Sequence, residues 1–267
     1  MDKRDALIEQ KNNRAEKEKN LYNTGFSRKK YNSRLGHAQA GYAETRKKNV
    51  VCSVLKEGKG KCVLELGSIS WKDYIDFNEY SPSELTCINI SEKELNKGIA
   101  AAKKLKTDKY CEHTFEIMDA HNLRFPDNSF DVVFGTGILH HLDFETALKE
   151  ISRVLKKDGS IVFVEPLARN PIAKLVRKLT PNARTPDEKP LDKKEFEILS
   201  NYFNLESSYF QLFYVLAGVV SGKIFKSPNN PLTFVSDKLD ILIEKIFKKT
   251  SICLLFRIVV ISGKSIV

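Results

Sequence analysis

Five short apolar runs punctuate the middle of the chain, at residues 62–66, 85–90, 114–118, 130–134 and 160–165, each bounded by charged or turn-forming residues. Runs of this length fit strands buried on both faces of a parallel sheet. Between them the apolar spacing lengthens to that of a helix. The clearest helical pattern takes Asp143 as N-cap, carries Leu148, Ile151, Val154 and Leu155 on one face, and has Lys156, Lys157 and then Gly159 at its end, predicting a helix over 143–157. A second starts at Asp192, with Glu195 three residues on for a capping box and Phe196, Leu199 and Phe203 as its buried side. Strands alternating with helices predict a parallel sheet covered on both faces. A sixth strand at 207–214 and a last, antiparallel one at 254–261 complete it.

The polar residues at the strand ends bring in chemistry. The first strand closes as Val63-Leu64-Glu65-Leu66-Gly67-Ser68, a carboxylate followed by a glycine turn, the construction with which α/β sheets approach nucleotide-like ligands. About 20 residues on, where a second strand tip reaches a ribose hydroxyl in such sheets, stands Asn89, after Leu85-Thr86-Cys87-Ile88. The third strand ends in Asp119-Ala120, and the fourth in Gly135-Thr136-Gly137, followed by Ile138-Leu139-His140-His141-Leu142.

In this order the segments resemble the class I S-adenosylmethionine-dependent methyltransferases, and among them the small-molecule group called type 11, over residues 45 to 205. Residues 123–131 resemble that family's lead into its fourth strand, and 155–160 its turn into the fifth. The resemblance implies a Rossmann-like α/β fold, a seven-stranded, mostly parallel sheet with helices on both faces, here with a helical cap insertion. It implies that Glu65, Gly67 and Ser68 hold the methionine part of S-adenosyl-L-methionine, Asn89 and Ile90 the ribose, and Asp119 and Ala120 the adenine, with Thr136 on the same pocket. Two departures stand out. The family's three alternating glycines have become Gly67-Ser68-Ile69-Ser70-Trp71, so Ile69 and Trp71 must point away or reshape the pocket, and Asn89 stands where the family has an acid, giving up a charge-assisted bond.

Methyl transfer from a sulfonium needs chiefly alignment. A base for a hydroxyl acceptor is sought in His140 and His141, just after strand four. Weaker candidates are His37, expected at the surface, and Tyr42; His121, expected behind the adenine; Glu165, a substrate contact or a turn cap; and Trp71, expected in the core.

The 267 residues fit one domain with additions: a charged helical extension over 1–44, the core over 45–214, an insertion over 215–250 and a final strand in 251–267. The net charge of +10 gathers partly in the connection 166–191, where Arg169, Lys174, Arg177, Lys178, Arg184 and Lys189 face only Asp187 and Glu188. The insertion interleaves Leu239, Leu242, Ile243, Ile246 and Phe247 with Lys245, Lys248 and Lys249, an apolar lid or a segment for an anionic leaflet, too short to span a bilayer. Five cysteines without a Cys-x-x-Cys pair predict reduced thiols and no metal site, and the polar start predicts a cytoplasmic protein, with peripheral contact to a membrane open. These features favour a methyltransferase acting on a small molecule, through a hydroxyl of an anionic, sugar-containing or lipid-linked metabolite. The alternatives are a nucleic-acid methyltransferase, for which the fourth strand lacks the Asn/Asp-Pro-Pro-aromatic signature, and a scaffold that has lost its cofactor.

Overall fold

The computed structural model describes Glu16, Lys19, Asn20, and residues 35–179, 188–248 and 250–266. Most of the expected extension over 1–44, together with Arg184, Asp187 and Lys249, lies outside the described residues. Seven strands form one sheet in the order β3-β2-β1-β4-β5-β7-β6. They are β1 (Cys62–Leu66), β2 (Glu84–Asn89), β3 (Glu112–Ile117), β4 (Phe130–Thr136), β5 (Leu155–Pro166), β6 (Phe203–Phe210) and β7 (Ile258–Ser265). The first five run parallel, and β7 lies antiparallel between β5 and β6.

Alternate residues of the central strands feed two cores, as the strand period of two requires. Leu64, Leu66, Val133, Ile161 and Phe163 pack on one face beneath helix α5 (Phe144–Val154) and Leu199 of α7 (Lys193–Leu199). Val63, Val132, Phe134, Val162 and Val164 pack on the other, beneath Val51 and Leu55 of α1 (Tyr42–Leu55), Tyr74 of the short α2 (Trp71–Tyr74) and Ala102 of α4 (Glu92–Leu105). A second short helix, α3 (Phe77–Tyr80), follows α2. Gly98 explains the close seat of α4, because a Cβ there would lie 2.0 Å from the Ser68 carbonyl oxygen.

Several expected boundaries move, the sixth strand among them, at 203–210 rather than 207–214. Asp143 caps α5 through the Thr146 N–H, but the helix stops at Val154: Asp158 turns into the left-handed region at φ 60° and Gly159 packs on Leu155, so residues 155–166 are strand. The capping box of Asp192 and Glu195 is present, yet α7 ends at Leu199 and Phe203 opens β6, where the alternation of Phe203 and Leu205 with Asn204 and Glu206 overrides the helical spacing. The last strand begins at Ile258 rather than 254, because Thr250 accepts the Ile252 N–H and winds 251–255 into a 3-10 turn.

The insertion between β6 and β7 is two helices, α8 (Tyr214–Ile224) and α9 (Pro231–Phe247); α6 (Pro171–Lys178) follows β5. Helix α9 is inverted. It buries Thr233, Ser236, Asp237 and Asp240 and turns Phe234, Val235, Leu239, Leu242 and Ile246 outward, with Val235 55% and Ile246 60% exposed. The polar side is held by partners: Asp240 accepts the backbone N–H groups of Leu212, Phe213 and Tyr214, Glu244 accepts that of Tyr209, and Arg46 of α1 pairs with Asp237 at 3.0 Å. Among the described residues no helix is long and apolar enough to cross a membrane.

Removing the acid that caps the start of α8 leaves three donors without their acceptor, the Tyr214 N–H fully buried among them. Asp240→Ala is expected to lower the unfolding free energy by about 3 kcal/mol, measured by urea denaturation. A change under about 0.5 kcal/mol contradicts this account of the inverted helix.

Candidate active site

The order of the strands reverses between β1 and β4, the place where an open parallel sheet leaves a crevice at its carboxyl edge. Gly67 leaves β1 at φ 126°, a conformation closed to side chains, and an added Cβ there would meet nothing nearer than Glu65 Oε1 at 3.7 Å. The turn is held from below. The buried Glu65 accepts the Ser70 N–H at 2.7 Å through Oε1 and the Cys87 thiol at 3.3 Å through Oε2. Burial pushes its carboxyl up to about 7, against those same two hydrogen bonds.

The substituted glycines cause no obstruction where the side chain is largest. Trp71 is fully buried, donates from Nε1 to the Ser68 carbonyl and stands edge-on to His113, so it belongs to the core. Ser68 is buried, and Ser70 hydrogen-bonds Thr136 Oγ1 across the crevice. At the tip of β2, Asn89 donates from Nδ2 to Ser68 Oγ at 3.2 Å and accepts the Ser91 N–H at 2.9 Å, which joins the glycine turn to the start of α4. Asn89 and its neighbour Ile90 remain half-buried. Beyond β3, Asp119 accepts both the backbone N–H and Nδ1 of His121, with Ala120 buried beside it. Burial pushes against the Asp119 charge, but the His121 bonds outweigh it and hold the carboxyl below its usual range. Glu65, Gly67, Ser68, Asn89, Ile90, Asp119, Ala120 and Thr136 thus all stand at the carboxyl ends of β1 to β4.

The histidines are placed differently from expectation. His140 and His141 lie in a 3-10 turn after β4 and are buried. Glu165, at the end of β5, accepts the backbone N–H groups of Ile138, Leu139 and His140 and sits 2.6 Å from His140 Nδ1. Glu188 Oε1 is 2.9 Å from His140 Nε2 and 3.9 Å from His141 Nε2. Burial disfavours the His140 charge, yet Glu165 and then Glu188 raise its pKa above the usual value. With both ring nitrogens facing carboxylates, His140 offers a substrate hydroxyl no lone pair, and its expected part as general base gives way to a positioning one. The ligand atoms of His140, His141 and Glu188 lie within 4.8 Å of one another, a group able to hold a cation, although cysteine spacing predicted no metal site. Glu165 proves to cap the turn, the second of its two expected roles.

His121 bridges Asp119 to the start of α5, accepting the Asp143 N–H on Nε2 at 2.8 Å. His37, expected at the surface, is half-buried with Nδ1 2.9 Å from Ser221 Oγ of α8, and Tyr42 meets Phe234 of α9 edge-on. All five cysteines are free.

Residues 64–163 match the family described as a methyltransferase domain. Demethylmenaquinone methyltransferase of Staphylococcus epidermidis is 35% identical over 118 residues, which cover 43% of this chain and 47% of that one. The 27-O-demethylrifamycin SV methyltransferase of Amycolatopsis mediterranei is 31% identical over 120 residues, covering 45% and 43%. The chain therefore spans less than half the length of these curated relatives. Among solved structures, geranyl diphosphate C-methyltransferase of Streptomyces coelicolor, bound to Mg2+, geranyl diphosphate and S-adenosyl-L-homocysteine, matches with a TM-score of 0.57 at 12% identity, over 84% of this chain and 79% of that one. The YcgJ protein of Bacillus subtilis matches with a TM-score of 0.53 at 16% identity, over 82% and 98%.

Residues 64–163 form a methyltransferase domain of the type 11 group, on a class I S-adenosylmethionine-dependent methyltransferase fold. Its crevice fits that family's cofactor. The turn at Gly67 has room above it, and polar groups stand in sequence at the tips of β1, β2 and β3.

Glu65 makes a pH test available. With its folded pKa near 7 above the ordinary 4.5, the native state holds a proton that the unfolded chain has lost between those values, so stability falls as pH rises from about 4.5 to 7 and then levels. The loss amounts to roughly 3 kcal/mol at about 1.4 kcal/mol per pKa unit. In Glu65→Gln that pH-dependent loss is absent, so the difference in Tm, variant minus parent, rises between pH 5 and pH 8. Parallel Tm curves for the two proteins contradict the assignment.

Proposed function

We propose that the chain transfers a methyl group from S-adenosylmethionine to a hydroxyl of an anionic, lipid-linked acceptor, working at an anionic membrane surface. The observation that carries the acceptor class is the inverted helix α9. An exposed apolar stripe of this extent marks an interaction surface rather than ordinary solvent contact. Among the described residues from 213 to 255, every exposed charged side chain is a lysine: Lys223, Lys226, Lys238, Lys245 and Lys248. Asp237 and Asp240 are buried, and Glu244 is half-buried on the backbone and Arg46. Apolar groups ringed by lysines suit a helix lying in the interface of an anionic leaflet, where each lysine contributes about 1 kcal/mol. Helix α8, which packs on α9, leaves Leu216, Val220 and Ile224 exposed as well.

The bound cofactor supplies an activated methyl on a sulfonium. The chain's own work is to orient: Glu65 braces the glycine turn, Asn89 offers the second lone pair of its amide oxygen to a ribose hydroxyl, and Asp119 stands by the adenine side. Thr136, fixed by Ser70, borders the reacting end. The buried Trp71 and the retained Glu65 and Gly67 favour a working cofactor site over a degenerate scaffold. The lysine distribution around an apolar face favours lipid over nucleic acid.

The test is incubation of the full chain with methyl-labelled S-adenosylmethionine and anionic vesicles carrying a bacterial lipid extract. Label is expected in the organic phase, with flotation on anionic but not neutral vesicles and loss of both signals in Leu242→Glu/Ile246→Glu. Label confined to water-soluble acceptors, with no vesicle binding, refutes the lipid reading.

A further inference from the structure

One guanidinium is buried without a counter-charge. Arg257 is 8% exposed, yet among the described residues it makes no ion pair, and the hydrogen bond of its side chain runs from Nη1 to the neutral Gln211 Oε1. Nε is buried with no partner. Withdrawing a charge from water is costly unless an opposite charge meets it, and arginine cannot shed its proton to escape that cost. The acids that hold the adjoining backbone are already committed. Asp240 gives both oxygens to the N–H groups of Leu212, Phe213 and Tyr214, and Glu165 gives both of its own to the turn after β4.

The arginine stands on the ligand side of the sheet. The Leu167 N–H donates to the Arg257 carbonyl and the Arg257 N–H to that of Phe210, which sets residue 257 beside the carboxyl end of β5 and the end of β6. Ligands of open parallel sheets lie outside those strand ends. Thr136 pairs with Val164, and Val164 with Val260, three residues beyond Arg257. Two strand spacings of ~4.8 Å and three residues of ~3.3 Å put the backbones of Arg257 and Thr136 ~14 Å apart, a span that a long side chain and a small acceptor can divide between them.

The surroundings hold the guanidinium in one orientation. Gln211 is buried in the left-handed region at φ 71°, uncommon for a residue with a side chain and frequent at ligand sites. Its Nε2 donates to the Ala38 carbonyl at 2.7 Å, in the 3-10 turn Gly36–Gln39, which fixes Oε1 toward Arg257. Asn170, the N-cap of α6, donates to the carbonyls of Gln211 and Leu255 and ties this corner together. With Nη1 spent on Gln211, the edge made by Nε and Nη2 is left, and with that edge a guanidinium grips two oxygens of a carboxylate or phosphate side by side. We propose that Arg257 recognises the acidic group of the methyl acceptor, a phosphate or a carboxylate, through Nε and Nη2, with Gln211 as its positioning residue. That the anion belongs to the methyl acceptor rests on the function proposed above; that Arg257 takes an anion does not.

The experiment titrates the full chain, by calorimetry and thermal unfolding, with inorganic phosphate, acetate and a short-chain phosphatidic acid, the matching uncharged diacylglycerol serving as control. The expected result is saturable binding of one anion per chain with a rise in Tm, weakened roughly thirtyfold or more in Arg257→Met. Arg257→Lys keeps the charge but not the fork and is expected to bind weakly too, whereas Lys174→Gln, on the exposed side of α6, binds as the parent does. Tighter binding of the phosphatidic acid assigns the anion to a lipid headgroup, and equal binding of inorganic phosphate assigns it to a soluble acceptor. Without anion, Arg257→Met is expected to melt no lower than the parent, because it removes an unpaired buried charge. Anion binding that is absent from the parent or survives in both Arg257 variants overturns the proposal, as does a fall of several degrees in the anion-free Tm of Arg257→Met, which marks a structural arginine. Binding of S-adenosylhomocysteine by the same samples separates failure of the anion site from failure of the methyltransferase reading.

Discussion

Buried backbone N–H groups that no strand or helix ladder can satisfy govern this structure, and carboxylates satisfy them at the positions that matter. Leaving a strand at its carboxyl edge strands several donors in a dry environment, where each unpaired group costs about 1–3 kcal/mol. Glu65 takes the Ser70 N–H beneath the first turn, and Glu165 takes three beneath the turn after β4. Asp240 takes three at the start of α8. Each acid is buried to do this, and burial pushes Glu65 up to about 7 and Asp240 up to about 6. The crevice keeps its shape because its floor is hydrogen-bonded from within.

The same constraint connects the crevice with the surface. Asp240, Asp237 and Glu244 tie α9 to α1, β6 and the start of α8 by its polar side, so its apolar side has nowhere to go but outward. A helix that spends its acids on the fold presents lysines and hydrocarbon to the solvent. The proposed lipid-linked acceptor rests on that pairing of lysines and hydrocarbon.

Much of the fold was legible because parallel strands advertise themselves. The 62–66 run is β1 to the residue, and the N-cap at Asp143 and the capping box at Asp192 are where the sequence placed them. Two of the boundary errors share one cause. At Phe203, and again between Leu155 and Gly159, residues fit both periods, and pairing with a neighbouring strand decided between them. Strand-end residues such as Gly67, Asn89 and Asp119 could be read because spacing along a βαβ unit fixes where they fall. Glu188 could not, since its meeting with His140 depends on how a long connection folds back. Gly98 left a trace: a lone glycine inside a helix costs about 1 kcal/mol and signals close packing. The apolar stripe of α9 fits a lid and a leaflet segment alike, because spacing alone does not say which side of a helix faces the core.

The most direct measurement is calorimetric titration of the purified chain with S-adenosylmethionine and S-adenosylhomocysteine, beside Gly67→Arg, whose side chain cannot adopt φ 126° and would occupy the room above the turn. Micromolar binding of both ligands by the parent, lost in a folded Gly67→Arg, is the predicted result. No heat and no thermal stabilisation at millimolar ligand would contradict the account, and would leave a methyltransferase fold without its cofactor.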